Sequence, residues 1–172
     1  MHMLKFRDFK NARRMIHYAI FILCWVLGYL LGLFFAEFHT DRIRAYFFFA
    51  TAVQAVPISS LFTAFLPLLL AYFCGRFSAQ ALLYPLAFLK ALSFAYCSLG
   101  VLLAYGQSGW VVCMFLLFSA SCSLPVFCWF CLHQIRQERS AEKISFLVCG
   151  ALIMIIAALD HFYCSPILQS LF

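Results

Sequence analysis

The sequence predicts an all-α protein, a polytopic bundle of about five membrane-spanning helices with a candidate interfacial helix beside them. Three observations carry that expectation. Hydrophobic residues make up 66% of the chain and charged residues 10%, where a soluble domain averages about half apolar and about a quarter charged. The apolar residues fall in runs near the roughly 20 residues that cross a hydrocarbon core. Polar and basic residues gather in the short segments between those runs. With 172 residues, the chain has room for at most about six crossings and for no separate soluble domain. The predicted organisation is a basic cytoplasmic segment (1–14), a transmembrane helical domain (15–160) and a short tail (161–172).

The first span is predicted over Met15–Ala36, between the basic cluster Lys5, Arg7, Lys10, Arg13 and Arg14 and the polar group Glu37, His39, Asp41, Arg42 and Arg44. Its apolar run is too long for the core of a signal peptide and lacks a clean small-x-small cleavage site, so it is expected to be retained. The pair Gly28-x-x-x-Gly32 leaves a flat stripe suited to helix packing. From Ile43 to Val56 the chain is aromatic and moderately apolar before Pro57, long enough for an interfacial helix and short for a crossing. A second span is expected over Ile58–Phe73, with Pro67 removing a backbone donor inside it. The stretch Phe77–Tyr105 is too long for one straight helix. It reads as a lead-in segment, a break near Pro85 and a third span over Leu86–Ala104. The turn Gly106-Gln107-Ser108-Gly109 makes the fourth span, Trp110–Leu132 with Pro125 inside it, an antiparallel neighbour. A fifth span over Ile144–Leu159 precedes Asp160 and His161.

Charge sets the expected orientation. Cytoplasmic loops are enriched in Lys and Arg. Five spans with the N-terminus inside place the first cluster, Arg76 and the basic residues of the 133–143 loop in the cytoplasm, with Arg42 and Arg44 outside. The expectation is a multi-pass protein of the cell membrane, N-terminus cytoplasmic and C-terminus outside. The formal net charge of +6 does not point to nucleic acid, because the N-terminal cluster accounts for much of it and no continuous basic surface follows. That cluster is also suited to anionic lipid, so the bilayer is the first expected partner.

Lys90 is the most informative single residue. An intramembrane lysine costs a few kcal/mol on insertion scales. It either faces a polar crevice, pairing with a carboxylate or with a carbonyl freed near Pro85, or it snorkels to the headgroups. Lys90 and Pro85 are therefore the candidate binding residues. Asp160 is the nearest candidate carboxylate, but the topology puts it at the opposite face, so no Asp160–Lys90 bridge is expected. The Cys128-x-x-Cys131 pair stands alone, and structural zinc needs four ligands. The nine cysteines are read as small hydrophobes, with no metal and no cofactor. Ser119, Ser121 and Ser123 are expected to pack and to bond back to their own helix. No nucleophile, paired acid or phosphate loop stands out, and the chain is not expected to be an enzyme.

The segments Gly75-Arg76-Phe77, Tyr84-Pro85-Leu86, Phe88-Leu89-Lys90-Ala91-Leu92-Ser93-Phe94-Ala95-Tyr96, Tyr105-Gly106, Gly109 and Leu124-Pro125 resemble the stage II sporulation protein M family. In that pattern a glycine-ended span leads to a proline, a lysine-glycine segment, a glycine turn and a proline-bearing span. The resemblance loosely covers Leu4–Phe130, and this chain has Ala91 where the pattern has glycine. It implies a membrane scaffold that organises peptidoglycan-remodelling enzymes during engulfment in an endospore-forming bacterium, with membrane or cell-wall protein partners or self-association. The alternative is a small transport subunit or permease with a site near the broken helices around Pro85 and Lys90.

Overall fold

The computed structural model describes residues 2–39, 41–42, 57–77, 79–106, 109–136, 142–164 and 166. Among them are six α-helices and no strand: α1 His2–Phe38, α2 Pro57–Arg76, α3 Leu83–Tyr105, α4 Gly109–Leu116, α5 Phe118–Arg136 and α6 Glu142–Leu159. A 3₁₀ turn, Gln80–Leu82, leads into α3, and a π-helical turn, Asp160–Cys164, follows α6. The expected all-α class is the observed one. The interfacial segment 43–56 lies outside the described residues.

Four helical segments are long and apolar enough to cross a membrane: Arg14–Phe38, Gln80–Leu103, Phe118–Ile135 and Lys143–Cys164. Helix α2 is 20 residues long, and its Phe65–Arg76 portion forms a shorter apolar helix. Dozens of large apolar side chains lie open on the outer faces, among them Ile22, Leu30 and Phe34 of α1 and Leu147, Val148 and Ile155 of α6. In water such surfaces would drive aggregation. In a bilayer they are simply solvated by lipid tails. Trp110, Phe162 and Tyr163 stand exposed at one end of the bundle and Phe77 near the other, where aromatic rings suit the two interfaces.

The helix directions follow from the contacts. Helix α1 makes its most extensive contact with α3. Going up both helices together, His17 meets Tyr84, Gly28 lies on Phe88, Gly32 lies on Leu92, and Ala36 clusters with Val101. The two helices are therefore parallel. The basis of the contact is the absence of side chains at the crossing. A methyl built on Gly28 would overlap the Phe88 carbonyl oxygen, and one on Gly32 would overlap that of Leu92 and sit 2.8 Å from the Ala95 Cβ. Fully buried Ala87, Ala91 and Ala95 form a row of small residues along α3.

Helices α2, α5 and α6 form a second packing unit. Phe65 touches Gly150 while Tyr72 meets Phe146, so α2 and α6 are antiparallel. His133 bonds Ser145 and Phe130 packs on Phe146, so α5 and α6 are antiparallel as well. The main core joins this unit to α1 and α3 through Phe21, Leu83 and Ala87, packed with Leu68, Phe127, Phe130 and Ile153. A smaller core of Ala36, Val101 and Val112 closes the other end.

Two sequence expectations change. The break near Pro85 is absent: α3 starts at Leu83 and runs unbroken to Tyr105. Pro85 sits in the first turn, where its missing N–H removes no mid-helix bond. The third span therefore begins earlier than Leu86. The expected single helix Trp110–Leu132 is instead α4 and α5, meeting at a jog at Leu117. Leu117 N–H still donates to Cys113 O at 3.0 Å, and Ser121 N–H to Leu117 O at 2.8 Å. Gly109–Arg136 as one straight rod would measure about 42 Å, longer than a roughly 30 Å core, and the jog lays the excess against the end of α3. Helix α1 runs continuously through the basic segment and the first span. The expected glycine turn does reverse the chain. Gly106, at φ 59°, closes α3 through its N–H to Leu102 O, and Gly109 packs on the Leu102 and Val101 backbone. Helices α2 and α5 continue through Pro67 and Pro125.

Replacing Gly28 with valine would force α1 away from the α3 backbone. We expect Gly28→Val to lower stability in mild detergent by about 1–3 kcal/mol, read as a drop in the unfolding midpoint. Ala19→Val on the exposed face of α1 is the control and should leave that midpoint unchanged.

Candidate functional site

The ends of five elements meet on the side of the bundle where α1 begins its span, α2 and α5 end, and α3 and α6 start. A polar layer lies there. The Tyr84 hydroxyl and His17 Nδ1 are hydrogen-bonded, and the two rings stack. Gln80 Nε2 donates to the Gln134 carbonyl oxygen at 3.3 Å. Ser145 Oγ and His133 Nε2 are 3.1 Å apart, and the His133 ring stacks on Trp129. Each pair ties one helix to another, so the layer fixes how the helix ends meet. Arg14, Arg76 and Lys143 stand exposed around it.

Gln134 is the unusual member. Its residue is only 6% exposed and its Nε2 has no hydrogen-bond partner. Its amide lies directly over Gly75, where any methyl would overlap Oε1. The glycine at the end of α2 is thus the space the glutamine occupies. The sequence does not group these polar residues as one site. His17, Tyr84, Gln134 and Ser145 come from four separate segments, and each looks like an ordinary span-end residue until the helices are assembled.

Lys90 lies in the interior of the Gln80–Leu103 span and is half-buried. Phe88 and Leu92, which meet α1, each sit about 200° around the helix from it, so Lys90 lies on the side of α3 away from α1. Among the described residues Lys90 forms no ion pair, and Asp160 is not within bridging distance. Pro85 is exposed and one and a half turns below it. The structure therefore does not bring Pro85 and Lys90 together as a crevice. Gly28 and Gly32 form the α1–α3 contact described above and are buried.

The nine cysteines are all unpaired. Cys131 is fully buried in the main core beside Cys149, with Cys74 and Cys128 packed at its margin. Among the described residues no group of three or more His, Cys, Asp or Glu is placed to hold a metal ion. Ser123 Oγ donates to Ala120 O at 3.1 Å and Ser98 Oγ to Ala95 O at 3.0 Å, the back-bonding typical of hydroxyls on apolar helices.

Comparison with protein-family models, with curated proteins and with solved structures finds no match to this chain.

The Gly75–Gln134 contact gives a direct test of the polar layer. Gly75→Ala is expected to destabilise the bundle by about 1–3 kcal/mol, because its methyl has no room beside the amide. Gln134→Ala made in the same chain should recover most of that loss. Thermal unfolding of the two single variants and the double variant measures the coupling, and simple additivity would show that the contact is not the cause.

Proposed function

We propose that this chain is a multi-pass integral membrane scaffold that organises peptidoglycan-remodelling proteins, as its resemblance to the stage II sporulation protein M family implies. The observation that carries the scaffold reading is how the interior is filled. Phe127, Phe130, Leu68, Leu83 and Ile153 are all at most 2% exposed and close the space between the helices with apolar side chains. Nearly all of the polar chemistry lies at the bundle ends. Such a body presents surfaces to neighbours and offers little to a solute passing through. The transport alternative draws on one observation, the half-buried Lys90 in the interior of its span. It ranks second because the core beside α3 is filled.

The orientation belongs to the same proposal: N-terminus in the cytoplasm, C-terminus outside, five crossings with α2 as the second. Support comes from the parallel α1 and α3. Two parallel spans require the chain to return between them, and α2 is the helix available. The charges agree. The N-terminal cluster, Arg76, Arg136 and Lys143 gather at one end of the bundle and Arg42 at the other, the sorting that places the first end in the cytoplasm.

Reporter fusions after Phe172 and within residues 137–141 should report opposite sides of the membrane; the same side for both would remove the five-span topology. For the scaffold, the full chain purified in mild detergent is expected to bring down a peptidoglycan-remodelling protein. Recovery without any such protein, together with solute uptake dependent on the chain, would favour transport instead.

A further inference from the structure

We infer that the face of α3 centred on Lys90 is a docking surface for a transmembrane helix of another protein that carries an aspartate or glutamate near its middle. The inference deepens the scaffold reading and rests on it, because it names the chemistry of one partner. Depth comes first. The span containing Lys90 starts at Gln80, and ten residues of helix place Lys90 about 15 Å from that start, near the middle of a roughly 30 Å core. The His17–Tyr84 and Gln80–Gln134 pairs fix the level of the polar layer at the start of α3. Tyr84 lies about 9 Å from Lys90 along the helix and Gln80 about 15 Å, and a lysine stem reaches about 6 Å, so the extended ammonium stops short of both levels. Snorkelling therefore does not bring it to the headgroups.

No carboxylate answers the charge among the described residues. Its six acidic residues are Asp8, Glu37, Asp41, Glu138, Glu142 and Asp160. Among the described residues, Asp8 and Glu142 belong to the end where α1 and α6 start, and Glu37, Asp41 and Asp160 to the opposite end. None of these lies at the depth of Lys90. A second copy of this chain, in either orientation, likewise brings none of these carboxylates to that depth. The counter-charge must come from a different molecule, and in the middle of a bilayer a carboxylate is carried on a protein helix.

The surface around Lys90 fits such a helix. Leu82 in the lead-in turn, Leu86 and Lys90, and beside them Leu89, Ser93 and Cys97, recur at spacings of four residues down one side of the Gln80–Leu103 span. Leu82 and Leu89 are each 56% exposed, Ser93 is exposed, and Leu86, Lys90 and Cys97 are half-buried. This stripe faces away from α1 and runs the length of a helix–helix contact. Its first half is leucine, and beyond that come the ammonium of Lys90, the hydroxyl of Ser93 and the thiol of Cys97. A partner helix lying along it would bury the leucines and meet the ammonium with its own carboxylate, neither charge facing lipid.

The test uses the full chain in phosphatidylcholine vesicles and a synthetic leucine-rich transmembrane helix of about 22 residues with one central glutamate. Association is read by energy transfer between labels on the two. The glutamate helix is expected to bind about tenfold more tightly than the same helix with glutamine. That preference should vanish with Lys90→Met, persist with Lys90→Arg, and vanish when the glutamate is moved two turns toward either end. Lys90→Met removes a charge from the bilayer and should insert at least as well as the parent, so its loss of pairing is not a loss of folding. Equal binding of the two helices would overturn the inference, as would a preference that survives Lys90→Met. A response to phosphatidylglycerol in place of the glutamate helix would overturn it too, by showing that the ammonium reaches headgroups. Failure of the helix to pair leaves recovery of wall proteins untouched, whereas failure of that recovery with pairing intact strikes only the choice of partner class.

Discussion

Two glycines, Gly28 and Gly32, bring the backbone of α1 against the backbone of α3, and the rest of the arrangement follows from that approach. Lipid tails are as apolar as leucine, so no hydrophobic force pulls two membrane helices together. Close packing and dispersion have to do it. Glycine on α1 facing alanine on α3 gives the shortest approach, and the contact is parallel. A parallel contact between spans that are not adjacent in the chain dictates connectivity, because something must carry the chain back between them. Helix α2 fills that role and in doing so meets α5 and α6, where aromatic rings replace small residues as the packing device. Phe65, Tyr72, Phe130 and Phe146 pack around one another there. The bundle thus combines a thin, backbone-to-backbone half with a thicker, ring-filled half.

Much of this was legible in the sequence, and the legible part is the part that hydropathy controls. Spans of apolar residues and the basic residues between them report directly on where the chain is in lipid. The Gly28–Gly32 spacing announced a close contact, although nothing in α1 could say which helix it met. The partner was hard to see because what the glycines meet, the backbone at Phe88 and Leu92 and the Ala95 methyl, is common to any helix. Ala91 departs from the lysine-glycine pattern of the resembling family, and the close approach survives because its glycines lie on α1.

What the sequence could not show is mostly a matter of distance along the chain. The polar layer joins His17 to Tyr84 and Gln80 to Gln134, pairs separated by 67 and 54 positions, and no local spacing signals them. Pro85 misled for a different reason. A proline is a breaker in the middle of a helix and well tolerated in its first turn, and which applies depends on where the helix starts. That start at Leu83 also changes the meaning of Lys90. Counted from Leu86 the lysine is one turn inside the membrane and within reach of water. Counted from the turn at Gln80 it is near the middle.

That shift in depth decides what kind of explanation Lys90 requires. The lysine belongs to neither hydrophobic core and contributes nothing to the α1–α3 contact, which the opposite side of α3 supplies. Stability alone would favour an apolar residue there, since insertion scales charge about 2.5–3.5 kcal/mol for a lysine at the centre of a span. A marginally stable fold has only about 5–15 kcal/mol in total, so an uncompensated charge of this kind is a sizeable fraction of it. No intramolecular compensation is present among the described residues, whose carboxylates sit toward one end or the other. With the partner helix inferred above, the cost that an isolated copy carries in the bilayer falls away. The same residue that weakens the isolated bundle thereby gives the assembled one a reason to form at a single depth and on a single face.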